Sequence, residues 1–383
     1  MSQDGTIRFA CIKVHQPIGI FYIGAIDSQD LVKISFTDRR RIEGGKREIE
    51  VVSGIQRELS LKRVAEIRKY VRNLDASFPT GIILAINSED AKYDSKTNTM
   101  VVSAQDSVAK IIDGQHRIEG LVEYQGSGFQ LNVTIFIDME MEDQAIVFST
   151  INLKQTPVGK SLTYDLYELA RTRSPQKTCH SIARLLNRKE GSPFWKRIMI
   201  LGTATGAPNE TLTQAAFIDP LLKYVSKDPM SDRDELKRGN TLPQATAGEI
   251  RVRKLIFRNL FIQERDAEIA QTMWNYFAAV AQRWPEAWDG KKPGLILNRT
   301  TGYRALMRFL PLAYLTLAID IPMPAAEFKR IFNDVDLSDE DFTPENFKPG
   351  SSGQSELFKK LVADTKIDEK AVWKGVTALS GLE

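Results

Sequence analysis

The residues best suited to chemistry stand together at Asp113-Gly114-Gln115-His116-Arg117. A carboxylate, a glycine, an imidazole and a guanidinium follow the apolar pair Ile111-Ile112 and precede the amphipathic residues Ile118, Leu121 and Val122. That order predicts a strand, a tight turn and a helix. Gly114 permits a positive φ or a close backbone approach. The helix start behind it offers N–H groups and the positive end of a dipole, which favour an anion. Arg117 adds a planar cation that can fork onto a phosphate. His116 is one of three histidines and titrates near neutral pH. This is the chemistry of a phosphate or nucleotide held at a helix start. The competing reading is a turn that uses glycine for its geometry and buries an Arg–Asp pair.

The elements that must carry this turn are legible on either side of it. Residues 7–14 and 19–26 are rich in β-branched and aromatic types and read as strands, as do 80–86, 100–102, 108–112 and 133–137. Ser60 is placed to cap a helix in which Leu61, Val64, Ile67 and Val71 recur at helical spacing, and 141–150 reads as another helix. Residues 39–46 form a basic connection and 87–98 a loop. From Val158 onward helical periodicity dominates, over 162–171, 180–186, 214–225, 250–284, 303–319 and 326–335, with loops at 228–248 and 336–353. The expectation is an α/β domain over 1–158 followed by a mainly α-helical domain over 159–383.

Composition narrows the class. A chain of 383 residues, 42% hydrophobic and 26% charged, suits a folded protein of about two domains. The net charge of +3 is mild, so a nucleic-acid partner requires a local patch. Cys11 and Cys179 form no zinc or redox spacing, which predicts no disulfide framework and a reducing cytoplasm. Neither a signal-peptide core nor an apolar run of the ~18–20 residues a membrane span needs is present, so no membrane partner is expected. No metal-ligating cluster can be assembled from the sequence.

Asp113–Arg117 resembles the signature of the DGQHR-domain proteins, a branch of the ParB/sulfiredoxin-like superfamily. Phe148-Ser149-Thr150-Ile151-Asn152-Leu153-Lys154-Gln155-Thr156-Pro157-Val158 resembles the second block of that family. The resemblance covers about Thr6 to Leu169, and Asn298-Arg299-Thr300-Thr301-Gly302 is similar to a later block, which reads as a cap and turn in preference to a second anion-binding helix start. It implies a ParB/sulfiredoxin-like fold for the first domain, with a nucleotide at the turn. Gly114, Gln115 and Arg117 would then bind phosphates, and Gln56 and Arg57 would line the pocket. Asn152 and Gln155 would reach the same phosphates or a Mg²⁺-bound water. Asp113 or His116 would position water or orient Arg117. Helix capping competes for Asn152 and Gln155, and an exposed linker for Gln56 and Arg57. The implied cofactors are ATP, or another nucleoside triphosphate, and Mg²⁺, which keeps most of its waters and needs no protein cage. Gln115-His116 stands where the sulfiredoxin branch has its catalytic cysteine, which argues against that chemistry.

Two branches of the family frame the expected role. The DpdB branch comprises ATPases of 7-deazaguanine insertion into DNA, and the DndB branch comprises transcriptional regulators of DNA phosphorothioation. The resemblance implies first a nucleoside triphosphatase of the deazaguanine kind. The alternative is a DNA-binding regulator of phosphorothioation, with a ParB-like nuclease third. DNA and a base- or sulfur-modifying enzyme are the implied partners, and homo-oligomerisation stays open. Two basic clusters are the candidates for DNA contact. The first runs from Arg171 to Arg197 and includes Arg184, Arg188 and Lys189; the second comprises Arg251, Arg253, Lys254 and Arg258. A solvated helix surface is the competing reading for each. The five tryptophans are expected in the core or at a domain interface.

Overall fold

A computed structural model describes residues 5–37, 41–44, 50–53, 59–126, 128–152, 160–205, 209–290, 292–317 and 322–375. The chain divides into two compact units, Met1–Val158 and Gly159–Glu383. The first is α/β and the second is helical.

The first unit runs β1 (Thr6–Gln16), β2 (Gly19–Asp27), α1 (Ser28–Ile34), β3 (Ser35–Phe36), β4 (Arg41–Gly44), β5 (Glu50–Ser53), α2 (Leu61–Tyr70), β6 (Ile82–Ile86), β7 (Ala91–Asp94), β8 (Thr99–Ser103), β9 (Ala109–Asp113), α3 (Gln115–Leu121), β10 (Gln130–Ile137) and α4 (Met141–Asn152). Eight of the strands make one mixed sheet in the order β3-β9-β6-β10-β2-β1-β8-β7, while β4 and β5 pair separately. The β3–β9 and β6–β10 pairs are parallel and the other pairs antiparallel. The central strand β6 is an unbroken apolar run because both of its faces are covered. Ile82, Leu84 and Ile86 meet Ile111, Val133 and Ile135 in the core. Strand β7 falls where a loop is expected. It is an edge strand, with Ala91 buried and Lys92 and Asp94 in solvent, so it lacks the apolar signature of a covered strand. Helix α1 is also unforeseen; Asp27 caps it, accepting from the Gln29 N–H at 2.9 Å.

The second unit begins with α5 (Lys160–Leu166), a 3₁₀ turn (Tyr167–Leu169) and α6 (Pro175–Arg188). The short strands β11 (Ile198–Met199) and β12 (Leu212–Thr213) follow, then α7 (Gln214–Val225), α8 (Pro229–Lys237), α9 (Ala247–Arg253), α10 (Arg258–Ile262), α11 (Asp266–Arg283) and α12 (Pro285–Asp289). The unit ends with α13 (Thr300–Leu317), α14 (Ala325–Asn333), a 3₁₀ turn (Asp339–Asp341), α15 (Ser351–Thr365) and α16 (Glu369–Lys374). The expected continuous helix over 250–284 is broken twice, at Lys254 and at Glu264, both with φ of 58°. Periodicity carried through because α9, α10 and α11 all offer apolar residues to one core, and the pattern reports burial rather than backbone continuity. Helix α8 lies within the expected 228–248 loop.

An aromatic cluster centres this unit. Phe277 stacks on Tyr303 and Trp288, and Phe194 meets Phe217, Phe277, Trp288 and Tyr303 edge-on. Trp284 and Trp288 lie in this core, and their indole N–H groups donate to Leu337 O at 2.7 Å and Pro193 O at 3.0 Å. Pro311 sits inside α13 and has no N–H, so the carbonyl of Met307 one turn back loses its helical donor. The hydroxyl of Tyr224, on α7, donates to that carbonyl at 2.5 Å. Burial pushes the Tyr224 pKa far above the usual phenol value, so it remains a donor at any working pH. The Tyr224→Phe variant keeps the ring packing but strands a buried carbonyl, and is expected to unfold with about 1–3 kcal/mol less stability in urea denaturation.

Candidate functional site

Strand β9 ends at Asp113, Gly114 turns the chain at φ 104°, and α3 begins at Gln115. The dihedral favours glycine, and a Cβ on Gly114 would lie 2.4 Å from Ile82 Cδ1, so the end of that side chain would have to shift. The first N–H groups of α3 receive no side-chain cap from Gly114.

Arg117 is turned inward. Its Nη1 donates to the Thr80 carbonyl and to Thr80 Oγ1, the latter at 2.8 Å, and its Nη2 donates to Gly81 O at 3.1 Å and Asp113 Oδ2 at 3.2 Å. These bonds take up all four terminal N–H donors of the guanidinium, leaving only Nε–H. Burial lowers the Arg117 pKa, with Asp113 opposing the shift, and the group stays charged. The expected fork onto a phosphate therefore gives way to a clamp. Arg117 ties the end of β9 and the start of α3 to the residues that lead into β6. Asp113 takes part in that clamp through Oδ2.

His116 makes the second tie. Its Nε2 accepts from the Ser60 N–H at 3.0 Å, which places the ring proton on Nδ1 and leaves the imidazole neutral. Burial is the main cause lowering its pKa, with nearby Arg63 adding to it and Asp113 opposing. Ser60 caps α2 as expected, accepting from Arg63 N at 3.4 Å. Val64 and Val71 are buried and Ile67 half-buried, but Leu61, expected on the apolar face, is 81% exposed. A Cβ on Gly120 would lie 2.3 Å from Ile67 Cγ2 and 2.8 Å from Ile67 Cβ, so that glycine lets α3 press closely on α2. Gln115 is half-buried at the first position of α3. Gln56, Arg57, Gln155 and the side chain of Asn152 lie outside the described residues.

The basic residues divide by their partners. Arg184 pairs with Glu168 and is 11% exposed. Arg173 pairs with Asp266, Arg197 with Asp289, and the buried Arg258 with Asp232. Arg251 Nε donates to Val372 O at 3.3 Å, Lys254 Nζ lies 4.7 Å from the centre of the Trp373 ring, and Arg253 pairs with Glu249 at 3.8 Å. Of the second expected cluster, Arg253 and Lys254 are exposed and Arg251 is half-buried. Arg251 and Lys254 fasten α9 to α16. Of the first cluster, Arg188 and Lys189 are exposed at the end of α6. Asn298 is buried, donating to Trp288 O at 2.9 Å, and a Cβ on Gly302 would lie 2.3 Å from Leu297 O. The 298–302 block is thus a tight structural turn.

The cationic face that the charge reading overlooked is α2. Residues 61–72 hold Lys62, Arg63, Arg68, Lys69 and Arg72 against one acid, Glu66. Lys62, Arg63, Lys69 and Arg72 are exposed, while Arg68 pairs with Glu123 at 3.0 Å. The excess was visible in the sequence but lay hidden beside the apolar periodicity used to define the helix. At the opposite end of β6 from Asp113, a cavity of about 460 Å³ is lined by Asp90, Asp138, Glu140 and Lys110 among others. Its excess of acids disfavours a phosphate there.

Residues 9–181 match the family model for DndB, described as DNA-sulfur modification-associated. No curated protein and no solved structure matches the chain. The match points to a protein associated with DNA modification. Among the described residues, no helix is long and apolar enough to cross a membrane.

Two outcomes test the joint. Arg117→Ala removes four hydrogen bonds and strands Asp113, so its unfolding free energy should fall by about 2–4 kcal/mol, with Arg117→Lys restoring only part. For His116, the folded pKa lies below the unfolded value, so the unfolded chain binds more protons in that window and stability rises with pH. The contribution is whole above the unfolded histidine value near 6.5 and is lost as pH falls below it. Melting temperatures between about pH 7.5 and 5 should therefore fall less steeply for His116→Asn than for the parent.

Proposed function

We propose that this protein is a DNA-binding component of a DNA phosphorothioation system, of the regulator class, and that it grips the phosphate backbone with the solvent face of α2. The observation that carries this reading is the set of exposed cations Lys62, Arg63, Lys69 and Arg72, opposed by Glu66 alone within residues 61–72. Phosphate contacts from one helix face give sequence-tolerant, salt-dependent affinity, because each contact releases condensed counterions. The family match over 9–181, which contains α2, favours the sulfur-modification branch over 7-deazaguanine insertion. On this reading the first unit is a ParB/sulfiredoxin-like fold whose signature turn acts as a joint that holds α2 in place.

A second reading keeps ATP or another nucleoside triphosphate, with Mg²⁺, at the turn. It is favoured by the uncapped start of α3, which the Ser60–His116 bond brings beside the start of α2 and Arg63. Hydrolysis there requires His116 or Asp113 to leave its present partner, since His116 Nε2 is engaged by Ser60 and Asp113 by Arg117. It also requires a phosphate site that does not depend on Arg117.

Fluorescence anisotropy with plain and phosphorothioated duplexes, over a range of salt, tests the first reading. The charge reversals Lys62→Glu, Lys69→Glu and Arg72→Glu together should weaken binding by roughly tenfold or more, with melting unchanged. The salt slope should become shallower by about 0.9 for every phosphate the variant no longer neutralises. Affinity and slope equal to the parent would overturn the assignment to α2. Phosphate release from ATP, GTP and CTP with Mg²⁺ tests the second, and turnover abolished by Gly114→Val in a folded variant would establish it.

A further inference from the structure

The helical unit contains a second constellation, built from residues that no motif connects. Asp165 lies on α5 and is 0% exposed, and His180 lies on α6 and is 1% exposed. Glu168 stands between them in the 3₁₀ turn, its side chain 40% exposed. His180 Nε2 is 4.0 Å from Asp165 Oδ1 and 3.8 Å from Glu168 Oε2. One ligand atom from each residue falls within 4.8 Å of the other two.

A residue outside the cluster sets the direction of the imidazole. Gln214 is fully buried at the start of α7. With its amide oriented so that donors meet acceptors, its oxygen accepts from His180 Nδ1 at 3.0 Å and from the Asp165 N–H at 3.1 Å, and its nitrogen donates to Ile200 O at 3.1 Å. The Nδ1–H is thus held by a fixed oxygen, and the ring is turned so that Nε2 faces two carboxylates. A histidine whose distal nitrogen donates to a fixed oxygen is how proteins orient and strengthen a metal-binding imidazole. The cluster also has a route to solvent. A cavity of about 430 Å³ is lined by Glu168, His180, Ser181, Arg184, Leu185, Arg188 and Lys189.

We propose that Asp165, Glu168 and His180 form a binding site for a divalent transition-metal ion, with Zn²⁺ the best match and Gln214 as the positioning residue. A nitrogen and two carboxylate oxygens suit this ion, which takes three protein ligands and leaves a fourth position to water. Bonds of about 2.1 Å place tetrahedral ligands about 3.4 Å apart, so the observed edges of 3.8 and 4.0 Å close by roughly half an ångström on binding. The guanidinium of Arg184 pairs with Glu168 and balances its charge. Metal binding moves that guanidinium off the ligating oxygen and toward the cavity it already lines.

The test uses full-length, tag-free protein stripped with a chelator, titrated with Zn²⁺ by calorimetry and with Co²⁺ by its visible d–d absorption. One ion per chain, a tetrahedral Co²⁺ spectrum and a raised melting temperature are expected. Glu168→Gln alters a half-exposed side chain and should fold. It should weaken binding by tenfold or more. His180→Asn keeps a group to meet Gln214 but removes Nε2, and should abolish the Co²⁺ spectrum. Gln214→Ala should weaken binding by about 10–100-fold while leaving the stoichiometry unchanged. Absence of binding by the folded parent would overturn the proposal. So would binding that Glu168→Gln leaves unchanged, and that result decides the matter even if His180→Asn fails to fold.

Discussion

The guanidinium of Arg117 is where the first unit is held in register. Each of its four terminal N–H groups meets an oxygen, two on Thr80, one on Gly81 and one on Asp113. Strand β9 runs antiparallel to β6, so the end of one lies at the start of the other, and a single side chain can reach both. One helical residue before it, His116 fixes the start of α2 through Ser60. Gly114 supplies the left-handed turn that directs both side chains, and Gly120 lets α2 and α3 approach. Five consecutive residues thereby set the positions of a strand start, a strand end and two helix starts.

That geometry changes what the signature means. A motif of Asp, Gly, His and Arg at a helix start has the composition of an anion site, yet here its polar groups face one another. Buried polar groups need partners, and a charge needs them most. In this turn the protein supplies those partners from its own backbone and side chains. The consequence for function is indirect but physical. The turn holds α2 with Val64 and Val71 inward, which leaves Lys62, Lys69 and Arg72 outward.

The cations of the helical unit show the same rule with the opposite result. Arg173, Arg184, Arg197 and Arg258 looked like a basic surface when read in sequence, but each meets an acid that is remote or offset along the chain. Arg251 and Lys254 meet a carbonyl and an indole of α16. Local excess of charge in sequence is cancelled where folding brings an acid, as at Arg173, Arg184, Arg197 and Arg258, and persists where the partners are neutral.

The sequence by itself determined the order of elements that bury a continuous apolar face: β1, β2, β6, β9 and β10, the strand–glycine–helix turn, and helices such as α7 and α13. Burial leaves a periodic trace that a linear reading recovers. It also marked Gly114 as a residue that permits a positive φ, and the structure places it at φ 104°. The edge strand β7, the interruptions at Lys254 and Glu264 and the inward turn of Arg117 were decided only in three dimensions. Edge strands show no apolar alternation, backbone breaks leave the burial pattern intact, and a guanidinium's direction depends on carbonyls 36 and 37 residues away. The Asp165–Glu168–His180 constellation is the extreme case. Its ligands lie on a helix, a turn and a second helix, and the residue that orients them, Gln214, is 34 positions from His180. Only the packing of α5, α6 and α7 brings them to one point.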